Sequence, residues 1–583
     1  MNPLPFDDSR RLTGPNLYFA GTGAVLETVG EGADDPAAWA GWRERVLRMG
    51  GAFGWPVETV MVRPHPGGAA LAFTAPSDGL YAATEVNEWA WLSQLRAFVL
   101  HAPGHPAAWD EASAQHTLAA MVADENHARL RALQAQAQAR GVPVLADDEA
   151  LTLGLGEGGQ TWPINALPEV ADVHWAALHA IPTAMVTGTN GKTTTTRLLA
   201  AMLRAHGLRS GHSCTDGVFV AGEQIASGDF SGPGGARAVL RDPRVQAAAL
   251  ETARGGMLRR GLVLPRVDAA AVTNVSDDHF GEYGIFDLDA LVEAKLTVAR
   301  ALDAGGVLVL NADDARLAAR GESLHCRFAW FARDHDHPRL RAHRAIGGAT
   351  CGVRDGQLHL ASGEAGVDIA DISTMPLTEG GLAEYNIGNA AAASLLAQAL
   401  GVPAATIAGV LSRFGSEPGD NPGRLQRWNF GGLRLLLDYA HNPEGLRGLL
   451  RVARAGGPKR LGLVLGQAGN RGNDDIRALA GVAADAKPDL VVLKDIDGFI
   501  RGRETGEVAQ VLGAELRQRG LRDDQLRVCL PELGAVRELL SWSQPGDVLV
   551  LPIHALEAKA EVQTLLDALA ASGWKAGDPL PEQ

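Results

Sequence analysis

The sequence predicts an α/β protein with a central doubly wound domain and a second, Rossmann-like C-terminal domain, preceded by a mixed α/β N-terminal domain. Three observations carry this. From Thr183 onward, short apolar runs alternate with helical patterns, the signature of a mostly parallel sheet covered by helices. A Gly/Pro/Asp-rich hinge, GSEPGDNPG at 415–423, divides that stretch in two. A glycine turn, TGTNGKTT at 187–194, joins the first strand of the stretch to its first helix. The expected domains are residues 1–165, 166–422 and 423–583.

The elements follow in order. In the first region an apolar strand is expected over 67–74, then a Trp- and Glu-rich stretch over 84–100, then a polar helix over about 107–140. Central strands are expected at 183–186, 247–250, 269–274 and 307–311, and a helix over 287–302. C-terminal strands are expected at 433–437, 461–465, 490–493 and 548–551.

Composition bounds the function. The 583 residues suit about three or four domains. At 46% hydrophobic and 21% charged they read as an ordinary globular protein. A net charge of −15 argues against a general nucleic-acid or acidic-membrane binder. Cys214, Cys326, Cys351 and Cys529 are scattered, which points away from a disulfide framework or zinc knuckle. Neither a signal-peptide pattern nor an apolar run of about 18 residues occurs, so the expectation is a soluble cytoplasmic protein. The HDHP run at 335–338 reads as a loop rather than a metal site, since no further ligand lies at useful spacing. GLGEGG at 154–159 lacks the strand–helix setting of a dinucleotide fingerprint and also reads as a loop.

The 187–194 turn carries the clearest chemistry. Gly188 and Gly191 let the backbone bring N–H groups against phosphate oxygens, alongside Thr189 and Asn190. The next helix presents its positive N-terminus to the same anion. Lys192 adds a full charge toward the β/γ-phosphates, and the Thr193 hydroxyl, next to Thr194, is placed to hold Mg²⁺. Leu198, Leu199, Met202 and Leu203 form the helix's buried stripe, and Gly207 lies where it should stop. Val186 stands where the strict phosphate-loop pattern has glycine.

TGTNGKTT resembles the phosphate loop of the Mur ligase superfamily, which joins amino acids to carboxylates with ATP. Within it the chain is most similar to the Mur-ligase half of cyanophycin synthetases. The matching stretches are CTDG (214–217), SGDFSGP (227–233), ETARGGMLRRG (251–261), TNVSDDH (273–279), LNADD (310–314) and LDYAHNP (437–443). The resemblance implies ATP and Mg²⁺ as cofactors. It implies Glu251 and His279 as metal ligands with Thr193, and Lys295 as the lysine that is often carbamylated. It implies Asn386 and Asn389 for adenine, Tyr385 standing where the pattern usually has histidine. It further implies Arg424 at the γ-phosphate and Asp438 and His441 near ribose and phosphates. The catalytic set implied is Lys192, Glu251, His279, Lys295 and Arg424.

LTGPNLY (12–18) resembles the start of a cyanophycin-synthetase N-terminal domain, and AQARGVPV (137–144) with ALTLGLG (150–156) the opening of its ATP-grasp part. The phosphate loop then follows within some thirty residues, so nearly all of the ATP-grasp domain is missing. The expectation is one amide-forming activity, joining an amino acid such as arginine to an aspartate-like carboxylate. A homo-oligomer and a possible separate ATP-grasp partner are expected too. Two alternatives stay open: a Mur-type ligase with a peptidoglycan- or folate-like acceptor, and a non-catalytic ATP-binding partner subunit.

Overall fold

The computed structural model describes residues 6–93, 110–277 and 280–581. The N-terminal region holds an antiparallel sheet of β1 (Phe6–Leu12), β2 (Gly23–Thr28), β3 (Val60–His65) and β4 (Gly68–Thr74), in the order β1-β2-β4-β3. Its apolar face packs Leu26, Leu71 and Phe73 against Trp42 and Trp91 of the helices Pro36–Ala52 and Leu80–Leu92. The polar helix expected over 107–140 is two helices, Glu111–Glu125 and Ala128–Ala139. Residues 107–109 lie outside the described residues. Asn126 is extended, and the His127 ring nitrogen accepts from Leu130 N, so the second helix is capped anew.

Next comes a small antiparallel sheet of β5 (Val144–Ala146), β6 (Ala150–Leu153) and β7 (Gln160–Pro163). Gly154 and Gly156 follow β6 at φ +78° and +53°, and a Cβ on them would meet the Gly158 and Val245 carbonyl oxygens at 1.9 and 2.2 Å. These glycines allow a tight backbone approach, which accounts for the run without a nucleotide.

The central sheet has eleven strands: β8 (Thr183–Thr187), β9 (Ser210–Cys214), β10 (Gly217–Val220), β11 (Glu223–Ser227), β12 (Ala247–Glu251), β13 (Val267–Val272), β14 (Leu302–Asn311), β15 (Arg327–Asp334), β16 (Ala349–Arg354), β17 (Gln357–Ser362) and β18 (Ala365–Asp371). Their order is β11-β10-β9-β12-β8-β13-β14-β15-β16-β17-β18. The run β9 to β16 is parallel, and an antiparallel hairpin extends each edge. On one face the helix Lys192–Ala205 packs Leu198, Leu199, Met202 and Leu203 against the alanine-rich helix Glu384–Ala399. The expected 287–302 helix is α-helical over Leu288–Leu296, tightens to a 3₁₀ turn over Thr297–Ala301, and runs directly into β14.

The C-terminal sheet comprises β19 (Gln426–Phe430), β20 (Leu433–Asp438), β21 (Leu461–Leu465), β22 (Leu490–Leu493), β23 (Leu526–Val528) and β24 (Val548–Pro552), ordered β19-β20-β24-β21-β22-β23. Only β19 is antiparallel, and both faces carry helices over separate apolar clusters. The N-terminal sheet docks on the central domain through backbone bonds, Thr13 N to Arg260 O and Leu262 N to Pro15 O, and through Arg10 Nε to Leu258 O. Among the described residues no helix is long and apolar enough to cross a membrane, and all four cysteines are free thiols.

Candidate nucleotide and ligation site

Both large sheets turn the carboxyl ends of their parallel strands toward one cavity of about 600 Å³. This is where open α/β sheets bind ligands. On the central side β8 runs into the glycine turn and the helix that begins at Lys192. Gly188 has φ +147° and Gly191 φ +83°, and a Cβ on Gly191 would lie 2.0 Å from Asn389 Oδ1. Any side chain at Gly191 would be strained at that φ and would have to displace the Asn389 amide. Thr189, Asn190, Gly191, Lys192, Thr193 and Thr194 line the cavity, while Gly188 sits beneath, against Thr273. Lys192 Nζ folds back to donate to Thr189 O at 3.0 Å.

Glu251 ends β12 beside this turn and is 1% exposed. Its carboxylate accepts from the Thr193 hydroxyl at 2.8 Å, the Thr215 hydroxyl at 3.0 Å and Thr215 N at 3.2 Å. Burial pushes its pKa above the usual 4.5, with Lys192 and the Thr193 hydrogen bond opposing. A sequestered carboxylate that meets only hydroxyl and amide donors, with a threonine hydroxyl alongside, is an oxygen donor set suited to a hard divalent cation. His279 lies outside the described residues. Among the described residues there is no cluster of three or more His, Cys, Asp or Glu fit to hold a metal, and His335 and His337 sit on a turn, His337 capping the helix Pro338–Ala345. Lys295, on the helix Leu288–Leu296, is 3% exposed and so is no surface lysine.

At the far end of the cavity Asn386 and Asn389 share one buried face of the helix Glu384–Ala399. Asn389 Nδ2 donates to Asn386 Oδ1, and Asn386 Nδ2 to Leu377 O, which fixes both amides. Tyr385 lines the same end and lies against Gly448 of the C-terminal domain.

The C-terminal domain supplies Arg424, Asp438 and His441. Leu425 adopts φ +53°, and its N–H donates to Asp438 Oδ2 at 2.7 Å, so the carboxylate ending β20 pins the hinge turn. The Arg424 guanidinium lies 4.3 Å over the Tyr439 ring. Burial works against its charge, but Asp216 and Asp438 outweigh it and raise its pKa. Burial likewise pushes Asp438 up, against Arg424.

Sequence reasoning missed the residues that tie the domains together. Lys559 Nζ, on the last helix, reaches Asp216 Oδ1 at 2.6 Å, with both side chains buried. Burial opposes the charge of Asp216, yet Arg424, Lys559 and Arg197 hold its pKa at about 2. Asn442 pairs with Asn190 of the phosphate turn at 2.9 Å, Asn421 with Thr194 at 3.1 Å, and Arg451 with Glu384 at 2.9 Å. Asp216 and Asn442 stood inside the quoted motifs. Lys559, 343 positions from its partner, had no local signal.

Fold and site together define an α/β protein whose central and C-terminal domains share one cavity, built around the glycine turn that opens the helix Lys192–Ala205. Residues 186–397 match the Mur ligase middle domain and residues 423–552 the Mur ligase, glutamate ligase domain, together more than half of the chain. The chain belongs to the Mur ligase family. It is 35% identical over 373 residues to cyanophycin synthetase of Synechocystis sp., covering 64% of this chain and 42% of that one. It is 37% identical over 376 residues to cyanophycin synthetase of Trichormus variabilis, covering 64% and 41%. UDP-N-acetylmuramoyl-L-alanyl-D-glutamate--2,6-diaminopimelate ligase of Xanthomonas campestris is 28% identical over 400 residues, covering 67% and 75%. Among solved structures, E. coli FolC in complex with ADP aligns at 17% identity with a TM-score of 0.49, covering 67% and 90%. The chain spans about two fifths of the length of the cyanophycin synthetases it matches.

Proposed function

We propose that this chain is an ATP-dependent acid–amino-acid ligase that forms an amide bond through an acyl phosphate. The observation that carries the reading is one cavity lined by Lys192 of the phosphate turn, the buried Glu251 and the hinge Arg424. The acceptor carboxylate takes the γ-phosphoryl group of ATP, releasing ADP, and the amino acid's amine then attacks the carbonyl and expels phosphate. Lys192 and the backbone N–H groups of 188–194 hold the phosphates, and Arg424 neutralises charge on the transferring group. Glu251 with Thr193, and His279 by resemblance, would hold Mg²⁺, which supplies charge neutralisation between the two anionic reactants. Lys295 is the carbamate candidate. Asn386 and Asn389 hold adenine, and Asp438 and His441 border ribose and phosphates. The domain division is read as 1–165, 166–422 and 423–583.

For substrates we propose an aspartate-like carboxylate and arginine or another basic amino acid, as the resemblance to cyanophycin synthetases implies. A separate ATP-grasp enzyme would supply the acceptor, and the site of action is the cytoplasm. The test is ADP release across a matrix of amino acids and Asp-containing acceptors. A stimulating pair identifies the substrates, and failure of every pair sinks the ligase reading. The subunit alternative differs in its outcome: Lys192→Ala would then disturb a co-purifying partner's activity although this chain releases no ADP.

A further inference from the structure

The C-terminal domain buries a charged chain that the proposed reaction does not use. Lys494, just past β22, and Glu532, at the start of the helix Glu532–Trp542, are both fully buried, with Nζ 2.5 Å from Oε1. Glu532 also accepts from the backbone N–H groups of His554 and Ala555, each at 3.1 Å, just past β24. The carboxylate thus gathers three donors from two strand ends, and removing it would strand all three.

His554 continues the chain. Its Nδ1 lies 3.3 Å from Lys494 Nζ and its Nε2 3.1 Å from the Ala440 carbonyl oxygen. An ammonium only donates, so Nδ1 must be the bare, accepting nitrogen. The ring proton is then on Nε2 and is donated to Ala440 O. Burial, with Lys494 next, keeps this imidazole neutral by lowering its pKa well below 6.5. Asp497, Asp495, His441 and Arg424 also face the cluster. Asp497 accepts from the Glu532 backbone N–H and Asp495 from Gly506 N, while Lys494 Nζ bonds to Glu532 and His554.

Ala440 lies in the turn that leaves β20, between Asp438 and His441, two of the residues lining the cavity. The His554 and Tyr439 rings also meet in a T-shaped pair with centroids 5.4 Å apart, and Tyr439 carries Arg424 above it. Next in the turn is Asn442, which meets Asn190 of the phosphate loop.

We propose that Glu532, Lys494 and His554 form a buried positioning relay. It fixes the Nε2–H tautomer of His554 and thereby holds the 438–442 turn, with its Tyr439 platform, so that Arg424 faces the transferring phosphoryl group. His554 is a positioning residue, since it acts through Ala440 and Tyr439 without reaching the cavity. The inference rests on the ligase reading for the role of Arg424, but the geometry it predicts is independent of substrate.

The test compares His554→Gln with His554→Asn in the full-length protein. The Gln amide nitrogen replaces Nε2 and keeps the donor to Ala440 O, whereas the Asn amide reaches only the Nδ1 position. His554→Asn should weaken binding of ATPγS with Mg²⁺ by about tenfold, the loss of one buried hydrogen bond, and His554→Gln should recover most of it. Where a turnover pair has been found, kcat should fall with His554→Asn more than the KM for the amino acid changes. Lys494→Met combined with Glu532→Gln removes both charges together, so a folded protein is expected even though either single change would leave a buried ion unpaired. This double variant should bind like His554→Asn. The relay is overturned if His554→Gln is as poor as His554→Asn, or if His554→Asn binds ATPγS like the wild type. Absence of ADP release from the wild type with every substrate would refute the ligase reading alone, because the binding comparison still decides the relay.

Discussion

Removing either partner of the Asp216–Lys559 pair should weaken nucleotide binding by opening the cavity rather than by unfolding a domain. Asp216 leaves β9 in the central domain and Lys559 sits on the last C-terminal helix, so their 2.6 Å contact exists only while the domains are closed. Asp216 is held at about 2 instead of 3.8 although burial opposes its charge, so the summed attraction of Arg424, Lys559 and Arg197 exceeds the net of about 2.5 kcal/mol. Arg424 is the largest cationic cause and Lys559 follows, adding a charge-assisted hydrogen bond, for a pairwise coupling of about 1.5–2 kcal/mol. Burial of Lys559 works against its own charge, so its net contribution to closure is smaller than that coupling. Asp216→Asn, which strands a buried ammonium, should weaken ATPγS binding about 30-fold, and Lys559→Met, which leaves Asp216 two other cations, about three- to tenfold. A double-mutant cycle read by calorimetry isolates the coupling, and small-angle scattering with nucleotide reports closure. Strictly additive single effects would refute the reasoning, as would a Lys559→Met protein that closes and binds like the wild type. The sign with pH is fixed: a depressed carboxylate contributes above 3.8 and is lost as pH falls through about 2, so this term is flat across the neutral range.

Three further outcomes follow from single residues. Gly191→Ala should abolish ATPγS binding by titration, because φ +83° and the 2.0 Å approach to Asn389 leave no room for a methyl group, while circular dichroism stays unchanged. Glu251→Gln should raise the melting temperature of the nucleotide-free protein at pH 8 by relieving a buried charge. A raised carboxylate pKa means its burden is present above the folded value and vanishes below 4.5, so the gap from wild type should close on acidification, and the Mg²⁺ requirement should rise. Arg10→Met should destabilise the N-terminal domain by about 3 kcal/mol in urea unfolding, since it leaves Glu27 buried at 4% side-chain exposure with its 2.7 Å partner gone.

Much of this architecture was legible because parallel strands buried on both faces read as short continuous apolar runs, such as 247–250 and 490–493, each within a residue of the observed strand. The hairpins at the edges of the central sheet were not, because β11 and β18 are largely exposed and lack an apolar run. In the site, Lys192, Glu251, Asn386, Asn389, Arg424, Asp438 and His441 all line one cavity, as the motifs grouped them. Lys192 opens a helix, Glu251 and Asp438 end strands, and the others lie in the first two turns of a helix or in a turn flanking a strand, where local sequence marks a position. Asp216–Lys559 and Glu532–Lys494–His554 escaped because a buried ion pair has the same one-dimensional signature as a solvated charge. Only the tertiary fold separates them.

The two ends of the cavity are closed by contacts of unequal cost, and this orders the opening. At the Asn386–Asn389 end Glu384 bridges Arg333 and Arg451, all between 41% and 60% exposed, a kind of pair worth about 0–1 kcal/mol. At the phosphate end Asp216–Lys559 is buried, beside the Asn190–Asn442 and Asn421–Thr194 contacts. Water competes for the first set and reaches the part-buried Asn190–Asn442 contact, but is excluded from the Asp216–Lys559 and Asn421–Thr194 contacts. The hinge at 415–425 lies next to the phosphate end, since Gly423 touches Lys559 and Leu425 is pinned by Asp438. A small rotation about it would part the exposed Glu384 contacts first, while the buried contacts near Lys192 hold. Full opening would have to break the buried set. On the proposed ligase reading, such an order would keep water from the transferring phosphoryl group.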